Sequence, residues 1–198
     1  MLELYLLRHG KTRGNALGRY LGRTDEELSP EGRRQLEGYV YPPAEALFVS
    51  PMKRCRQTAA LLFPRMCQLI VPALRECDFG AFENKSWREL SGNPDYQAWI
   101  DSGGALPFPG GETGEGFRER CRQGFLEVLC WCRQREISRA ALVIHGGTIR
   151  SILSAWGEPK GEFYDWNPAN GGGYRVACSW EEPGNPRLRI LEEFGEQK

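Results

Sequence analysis

The nine residues LELYLLRHG, from Leu2 to Gly10, decide the fold of this chain. Their short apolar run is typical of a strand that is buried on both faces of a parallel sheet. A second run of the same kind, AALVIHGG, extends from Ala140 to Gly147. Each run ends in a histidine followed by glycine, and these are the two histidines of the sequence. We therefore expect two buried strands that carry His9 and His145 at their carboxyl ends.

The carboxyl end of a parallel strand is the usual place for a ligand in an open α/β sheet. A glycine after the strand lets the backbone approach that ligand, and the next helix turns its positive N-terminus toward an anion. A single histidine at such a position is more often structural than catalytic. Two histidines in matching contexts, one of them next to Arg8, favour histidine chemistry on an anion.

The remaining chain alternates predicted strands and helices. Ser29-Pro30 and Ser50-Pro51 each combine a helix N-cap with a proline at the first helical position. Further strands are predicted near residues 46–49, 68–71, 173–180 and 188–192, and helices over 30–39, 51–62, 93–100, 113–136 and 148–155. This alternation predicts an α/β fold, a three-layer α/β/α sandwich with a mostly parallel central sheet. We expect one domain over residues 1–198, with a loop-rich covering segment at about 78–115.

Composition narrows the classes of function. Lysine plus arginine and aspartate plus glutamate number 26 each, so the net charge is zero and favours neither a nucleic acid nor an anionic membrane as a partner. No apolar run reaches the roughly 20 residues of a membrane helix, and no signal-peptide pattern is present. The seven cysteines lack paired C-x-x-C spacing and indicate reduced thiols of a cytoplasmic protein. Neither histidine has a second metal ligand at usable spacing, so we expect no metal and no cofactor.

Four segments of the chain closely resemble the histidine phosphatase superfamily, which includes the cofactor-dependent phosphoglycerate mutases. They are residues 7–12 (LRHGKT) with Asn15 shortly after, 50–59 (SPMKRCRQTA), 74–80 (LRECDFG) and 144–147 (IHGG). The resemblance implies a phosphoglycerate mutase-like fold in which His9, Glu76 and His145 are catalytic. It also implies that Arg8, Asn15, Arg54 and Gly146 bind the substrate phosphate. Two positions depart from the family pattern: Lys11 replaces a residue that is commonly acidic or polar, and Asn84 replaces a usual glycine.

Elementary chemistry agrees with these roles. A phosphate monoester is a dianion, which the fixed N–H fork of an arginine binds well, so Arg8 and Arg54 would form a clamp. Their charge would depress the pKa of His9 and keep a ring nitrogen free to attack phosphorus. Glu76 would protonate the leaving oxygen and then activate water, while His145 would donate to a phosphoryl oxygen. Asn15 would add a neutral donor, so no metal is required.

The residues alone leave some of these assignments open. Lys53 and Arg56 beside Arg54 are equally typical of a solvated helix face. Asp78 and Glu83 are acidic neighbours that compete with Glu76 for the role of proton donor. We interpret Glu83 as a structural hydrogen-bonding residue and Asp25 as a side chain that orders its loop.

The expected activity is that of a metal-independent phosphomonoesterase of the EC 3.1.3 class acting on a small phosphorylated metabolite, as a monomer or a homodimer. Residues 18–25 and 108–112 resemble the α-ribazole-5′-phosphate phosphatases, which makes α-ribazole 5′-phosphate one candidate substrate. A phosphoglycerate mutase or a sugar-phosphate phosphatase is the alternative, although the longer middle insertion and tail of the mutases are absent here. A non-catalytic protein that binds a phosphorylated ligand is the alternative from another class, but the complete set of pocket residues argues against it.

Overall fold

Strands and helices alternate along the described chain, which in this computed structural model comprises residues 1–41, 43–179 and 184–195. The strands are β1 (Leu2–Arg8), β2 (Ala46–Val49), β3 (Gln68–Ile70), β4 (Arg139–Ile144), β5 (Gly157–Glu158), β6 (Gly173–Ser179) and β7 (Arg187–Phe194). The helices are α1 (Arg13–Ala16), α2 (Pro30–Leu36), α3 (Lys53–Leu62), α4 (Pro94–Asp101), α5 (Gly114–Gln134) and α6 (Gly146–Trp156).

All these strands belong to one sheet, in the order β3-β2-β4-β1-β6-β7-β5. Of the strands within the described ranges, β6 alone runs antiparallel to its neighbours β1 and β7. The predicted α/β fold with a mostly parallel central sheet is thereby confirmed. The late strands also form where they are predicted, although Trp180, the expected end of one of them, lies outside the described residues.

Side chains that alternate along the central strands fill two separate cores. Leu4, Leu6 and Leu142 pack on one face of the sheet against residues of α5 and α6. Leu7 and Val143 point to the opposite face and pack against residues of α3. Because the strands are apolar on both sides, the sheet is covered by helices on both sides, as the predicted three-layer sandwich requires.

Pairing between β1 and β4 brings the two histidines together. The strands are parallel, with Arg8 opposite Ile144. The N–H of His9 then donates to the carbonyl of Ile144 at 3.0 Å, which extends the pairing to the last residue before His145. The register therefore sets both imidazoles at one edge of the sheet.

The helix boundaries show where the sequence signals hold and where they fail. The Ser29 hydroxyl accepts the N–H of Gly32 and caps α2 as predicted, but α2 ends at Leu36 rather than near residue 39. The prediction for Ser50-Pro51 is wrong: α3 begins at Lys53, and the Ser50 hydroxyl is used elsewhere. Helix α1 was not predicted, and it is held by a capping box between Thr12 and Asn15.

The covering segment has a small core of its own, separate from the two cores of the sheet. Leu90, Phe82 and Phe108 pack there against Phe117 of α5. Asn84 adopts a φ of 58°, in the left-handed region that favours glycine and tolerates asparagine. This backbone requirement explains why asparagine can stand where the resembling family usually has glycine.

All seven cysteines are free, and five of them are buried. In the part of the chain that the structure describes, no helix is both long enough and apolar enough to span a membrane.

Replacing a leucine at the centre of the sheet should destabilise the protein far more than replacing one at its surface. Leu142 is fully buried in β4, whereas Leu61 of α3 keeps 38% of its surface exposed. We expect Leu142→Ala to lower the free energy of unfolding by about 2–5 kcal/mol and Leu61→Ala by about 1 kcal/mol or less. Urea denaturation measures both, and equal losses would contradict the placement of β4 in the core.

Candidate active site

A cleft of about 330 Å³ opens at the carboxyl ends of β1 and β4. Five of the predicted site residues line it: Arg8, His9, Asn15, Glu76 and Gly146. The other two, Arg54 and His145, are fully buried beside them. The rings of His145 and His9 meet edge to face, with their centroids 5.2 Å apart. The structure thus brings all seven predicted residues together.

His9 is held in one tautomer. Its Nδ1 lies 2.8 Å from the carbonyl oxygen of Gly10, and because a carbonyl can only accept, Nδ1 must carry the proton. The lone pair of Nε2 is then available for attack. Burial lowers the pKa of His9 well below its ordinary value, and the charges of Arg54 and Arg8 lower it further. The imidazole is therefore neutral at physiological pH.

His145 is oriented by a residue that the sequence analysis assigned to another role. Its Nε2 lies 2.7 Å from the hydroxyl of Ser50, and both side chains are fully buried. Burial lowers the pKa of His145 well below its ordinary value, with the Arg54 charge as the next contribution. Ser50 follows β2 just as the histidines follow β1 and β4, and this shared position is the signal that could have identified it.

Arg54 lies in the interior and not on a solvated helix face, which settles the question that the residues alone left open. Its terminal nitrogens donate to the carbonyls of Thr24, Leu21 and Gly22 at 2.7, 3.1 and 3.0 Å. A guanidinium has five N–H donors, so three are used in this way. The buried Nε has no hydrogen-bond partner among the described residues.

Arg8 and Asn15 also keep unused donors at the cleft. Arg8 gives one terminal N–H to the carbonyl of Pro168 at 2.9 Å, while its buried Nε has no partner in the described chain. The Oδ1 atom of Asn15 accepts from Thr12 and from Asn170, so its amide nitrogen is the group left to donate. These donors, together with that of Arg54, suit the oxygens of a tetrahedral anion.

Glu76 is the acidic residue that the structure places at the cleft. Its carboxylate accepts the N–H of Cys77 at 3.0 Å and the N–H of Gly147 at 3.1 Å. A Cβ on Gly147 would clash with the Glu76 carboxylate, so a larger residue at position 147 would displace that carboxylate. Burial raises the pKa of Glu76 above its ordinary value, although both N–H contacts and the nearby arginines oppose the rise.

The competing carboxylates have structural partners. Asp78 accepts the N–H of Gly80 and lies 3.6 Å from Arg23. Glu83 accepts the N–H groups of Gly22 and Thr24, as a structural residue should. Asp25 accepts the N–H of Lys53 and so holds its loop against the start of α3.

The outer walls of the cleft consist of residues to which the sequence analysis assigned no individual role. Seven of them are aromatic: Tyr20, Phe79, Trp99, Phe108, Phe117, Phe163 and Tyr164. Three more are arginines: Arg19, Arg118 and Arg150. Several of these residues belong to the covering segment, and the aromatic residues of that segment were the sequence signal that could have identified the cleft wall.

Comparison with known proteins agrees with this geometry. The sequence model of the histidine phosphatase superfamily (branch 1) matches residues 4–187. The chain belongs to this superfamily. It is 31% identical over 161 residues to the putative phosphoserine phosphatase 2 of Hydrogenobacter thermophilus, a match that covers 77% of each chain. The crystal structure of a phosphoglycerate mutase from Thermus thermophilus is 33% identical and superposes with a TM-score of 0.73 over 99% of this chain and 100% of that one.

A putative α-ribazole-5′-P phosphatase from Escherichia coli superposes with a TM-score of 0.81 over 96% of this chain and 95% of that one, at 24% identity. At that identity the likeness concerns the fold alone. Membership of the superfamily confirms the predicted class of enzyme, a histidine phosphatase-type phosphomonoesterase. The two relatives above 30% identity are named for two different substrates, so the superfamily leaves the substrate of this histidine phosphatase open.

The geometry of Arg54 predicts how the site binds a simple anion. Arg54→Lys keeps the charge but loses the planar fork, so its affinity for inorganic phosphate should fall about 10–100-fold. Isothermal titration calorimetry measures the change. Arg56→Lys, at an exposed position of the same helix, is the matched control and should bind phosphate normally. Equal affinity in both variants would contradict a role for Arg54 in anion binding.

Proposed function

We propose that this histidine phosphatase hydrolyses phosphomonoesters of small metabolites through a phosphohistidine formed on His9. One observation carries the proposal: the Nδ1 proton of His9 is engaged by Gly10, which leaves Nε2 free in the cleft that Arg8, with its unpartnered Nε, also lines. Phosphoryl transfer to nitrogen needs a neutral imidazole as the nucleophile and positive charge to hold the phosphoryl group.

In the first step, Nε2 of His9 forms a bond to phosphorus while the bond from phosphorus to the ester oxygen breaks. Glu76 gives its proton to the departing oxygen, a role that its raised pKa supports because the acid stays protonated to higher pH. Arg8, Arg54 and Asn15 would hold the phosphoryl oxygens, and His145 would donate a further hydrogen bond.

In the second step, the Glu76 carboxylate takes a proton from water as the water oxygen attacks phosphorus. The bond between Nε2 and phosphorus breaks, inorganic phosphate leaves, and Glu76 is again the acid. Gly146, which lines the cleft directly against the Arg8 guanidinium, would contact the phosphate through its backbone. The arginines provide the positive charge, so the proposed cycle uses no metal and no cofactor.

The candidate substrates follow from the cleft walls. Both stretches that resemble the α-ribazole-5′-phosphate phosphatases reach the cleft, the first through Arg19 and Tyr20 and the second through Phe108. The aromatic walls would accommodate the planar base of α-ribazole 5′-phosphate. Sugar phosphates and 3-phosphoglycerate remain the alternatives, the last as a mutase substrate. The free thiols favour action in the reducing cytoplasm, with a monomer or homodimer as the proposed state.

Loss of the His9 nucleophile should abolish turnover. We expect His9→Ala to hydrolyse p-nitrophenyl phosphate at less than about one thousandth of the normal rate, and to form no acid-labile, base-stable phosphoenzyme. The assay is run with and without EDTA, and the unaltered enzyme should be equally active in both. Near-normal activity in the variant would overturn the mechanism, whereas loss with EDTA that a divalent metal restores would indicate another class of enzyme.

Removal of the Glu76 proton should slow the hydrolysis of esters with poor leaving groups more than that of esters with good ones. Glu76→Gln should reduce kcat/KM for alkyl phosphates by about 10²–10⁴ and affect p-nitrophenyl phosphate less, because nitrophenolate departs without a proton. In the unaltered enzyme, kcat/KM for alkyl phosphates should fall as the pH rises through the raised pKa of Glu76. The variant should lack this alkaline fall.

Asp78→Asn and Glu83→Gln are the matched controls for Glu76, since their carboxylates contact backbone N–H groups away from the two histidines. The quantity to compare is the slope of log kcat/KM against the pKa of the leaving group. A slope that steepens in Asp78→Asn and stays normal in Glu76→Gln would move the acid role to Asp78.

A further inference from the structure

The cleft carries more positive charge than a single phosphate needs. Arg8, Arg19, Arg118 and Arg150 line it, and Glu76 is the one carboxylate among the described lining residues. Burial lowers the pKa of Arg8, and the charges of Arg150 and Arg54 lower it further, while Glu76 opposes them. The charges of Arg150 and Arg54 are therefore close enough to that of Arg8 to repel it.

Most of these guanidiniums are held by neutral groups. Arg19 is the exception, because it pairs with Glu89 at 3.1 Å. Arg150 donates to the carbonyl of Trp166 at 2.7 Å and to the side-chain oxygen of Asn167 at 2.6 Å, neither of which is charged. Carbonyls likewise hold Arg8 and Arg54. Neutral acceptors satisfy the hydrogen bonds and leave the positive charge uncompensated.

Arg118 is the least engaged of the set. It lies on the second turn of α5, half-buried, with Phe117 as its neighbour in the cleft wall. Its guanidinium stands 5.8 Å from the ring centroid of Phe163. Within the described ranges it has no other hydrogen-bond or ion-pair partner, although long arginine side chains at a protein surface commonly find a carboxylate. An arginine kept free at the wall of an anion site is suited to a ligand.

Four guanidiniums, those of Arg8, Arg54, Arg118 and Arg150, thus have no carboxylate within 4 Å in the described structure. A phosphomonoester dianion balances two of these charges, and Glu76 balances none while it is protonated as the acid. We propose that the substrate is a phosphomonoester whose leaving group carries a second negative charge, and that Arg118 is the residue that recognises it.

This inference rests on the proposed phosphatase function and narrows it. The second anion is a carboxylate or a further phosphate, the two groups that the arginine fork binds bidentately. Arg118 would bind it at the outer wall, away from the buried pair of histidines. Of the candidate substrates, 3-phosphoglycerate has such a group, a sugar phosphate has one only if it carries a second phosphate, and α-ribazole 5′-phosphate has none.

Two matched pairs of esters test the proposal. The first pair is 3-carboxyphenyl phosphate and 3-carbamoylphenyl phosphate, which differ in charge but hardly in shape. The second pair is 3-phosphoglycerate and glycerol 3-phosphate, which repeats the comparison without a ring. The unaltered enzyme should favour the carboxylate of each pair in kcat/KM by about tenfold or more.

Arg118→Gln should reduce that preference by about tenfold, because the amide cannot supply the charge or the fork. Arg122→Gln is the matched control, since Arg122 lies one turn further along α5 and pairs with Glu119, and this variant should retain the full preference. The same measurements at raised salt should narrow the preference of the unaltered enzyme, as expected for an interaction between charges.

The outcomes separate the two proposals. Equal kcat/KM for both members of each pair in the unaltered enzyme would overturn the second-anion site while leaving the phosphatase intact. If Arg118→Gln keeps the preference for the carboxylate esters, another residue binds the second anion, and the role of Arg118 is overturned. Failure to hydrolyse any of the four esters would overturn the proposed function itself, and this inference with it.

Discussion

The burial of the Arg54 guanidinium constrains the structure around the site. A charge removed from water needs polar partners, and here no carboxylate lies within reach in the described chain. Three carbonyls from the loop at residues 21–24 hold it instead. That loop is fixed in turn by Glu83 of the covering segment, which accepts the N–H groups of Gly22 and Thr24. Helix α3, the loop and the covering segment are thereby joined through one buried cation.

Burial also prepares the acid and the nucleophile in the same way. It disfavours the charged form of any group, so it lowers the pKa of His9 and raises the pKa of Glu76. Both shifts act in the direction that the proposed first step needs, a neutral imidazole beside a protonated carboxylic acid. Nearby arginines reinforce the shift of His9 and oppose that of Glu76. The arginines thus favour the neutral form of His9 and the ionised form of Glu76.

The inner and outer parts of the cleft come from different parts of the fold. Strand ends supply the histidines and Arg8, in positions set by the pairing of β1 with β4. The outer wall is built mainly by the covering segment, by α5 and by the residues after β5, where aromatic rings predominate. Rigid strand ends suit the phosphoryl transfer that members of the superfamily have in common. The sequence of the loops can vary with the leaving group of the substrate. The two substrates named for the relatives above 30% identity agree with this division.

Features that depend on local pattern could be predicted from the sequence. The apolar runs before His9 and His145 predicted two buried parallel strands, and Ser29-Pro30 predicted the start of a helix. The resemblance of four short segments then named the residues that gather at the cleft. Other features became visible only in the folded structure. Arg54 faces the interior and not solvent, and Ser50 contacts His145 instead of capping α3. The tertiary structure also decided that Arg118 stands free in the cleft wall. Strand and helix signals act over a few neighbours, whereas burial and hydrogen-bond partners depend on chain segments that meet only in the folded protein.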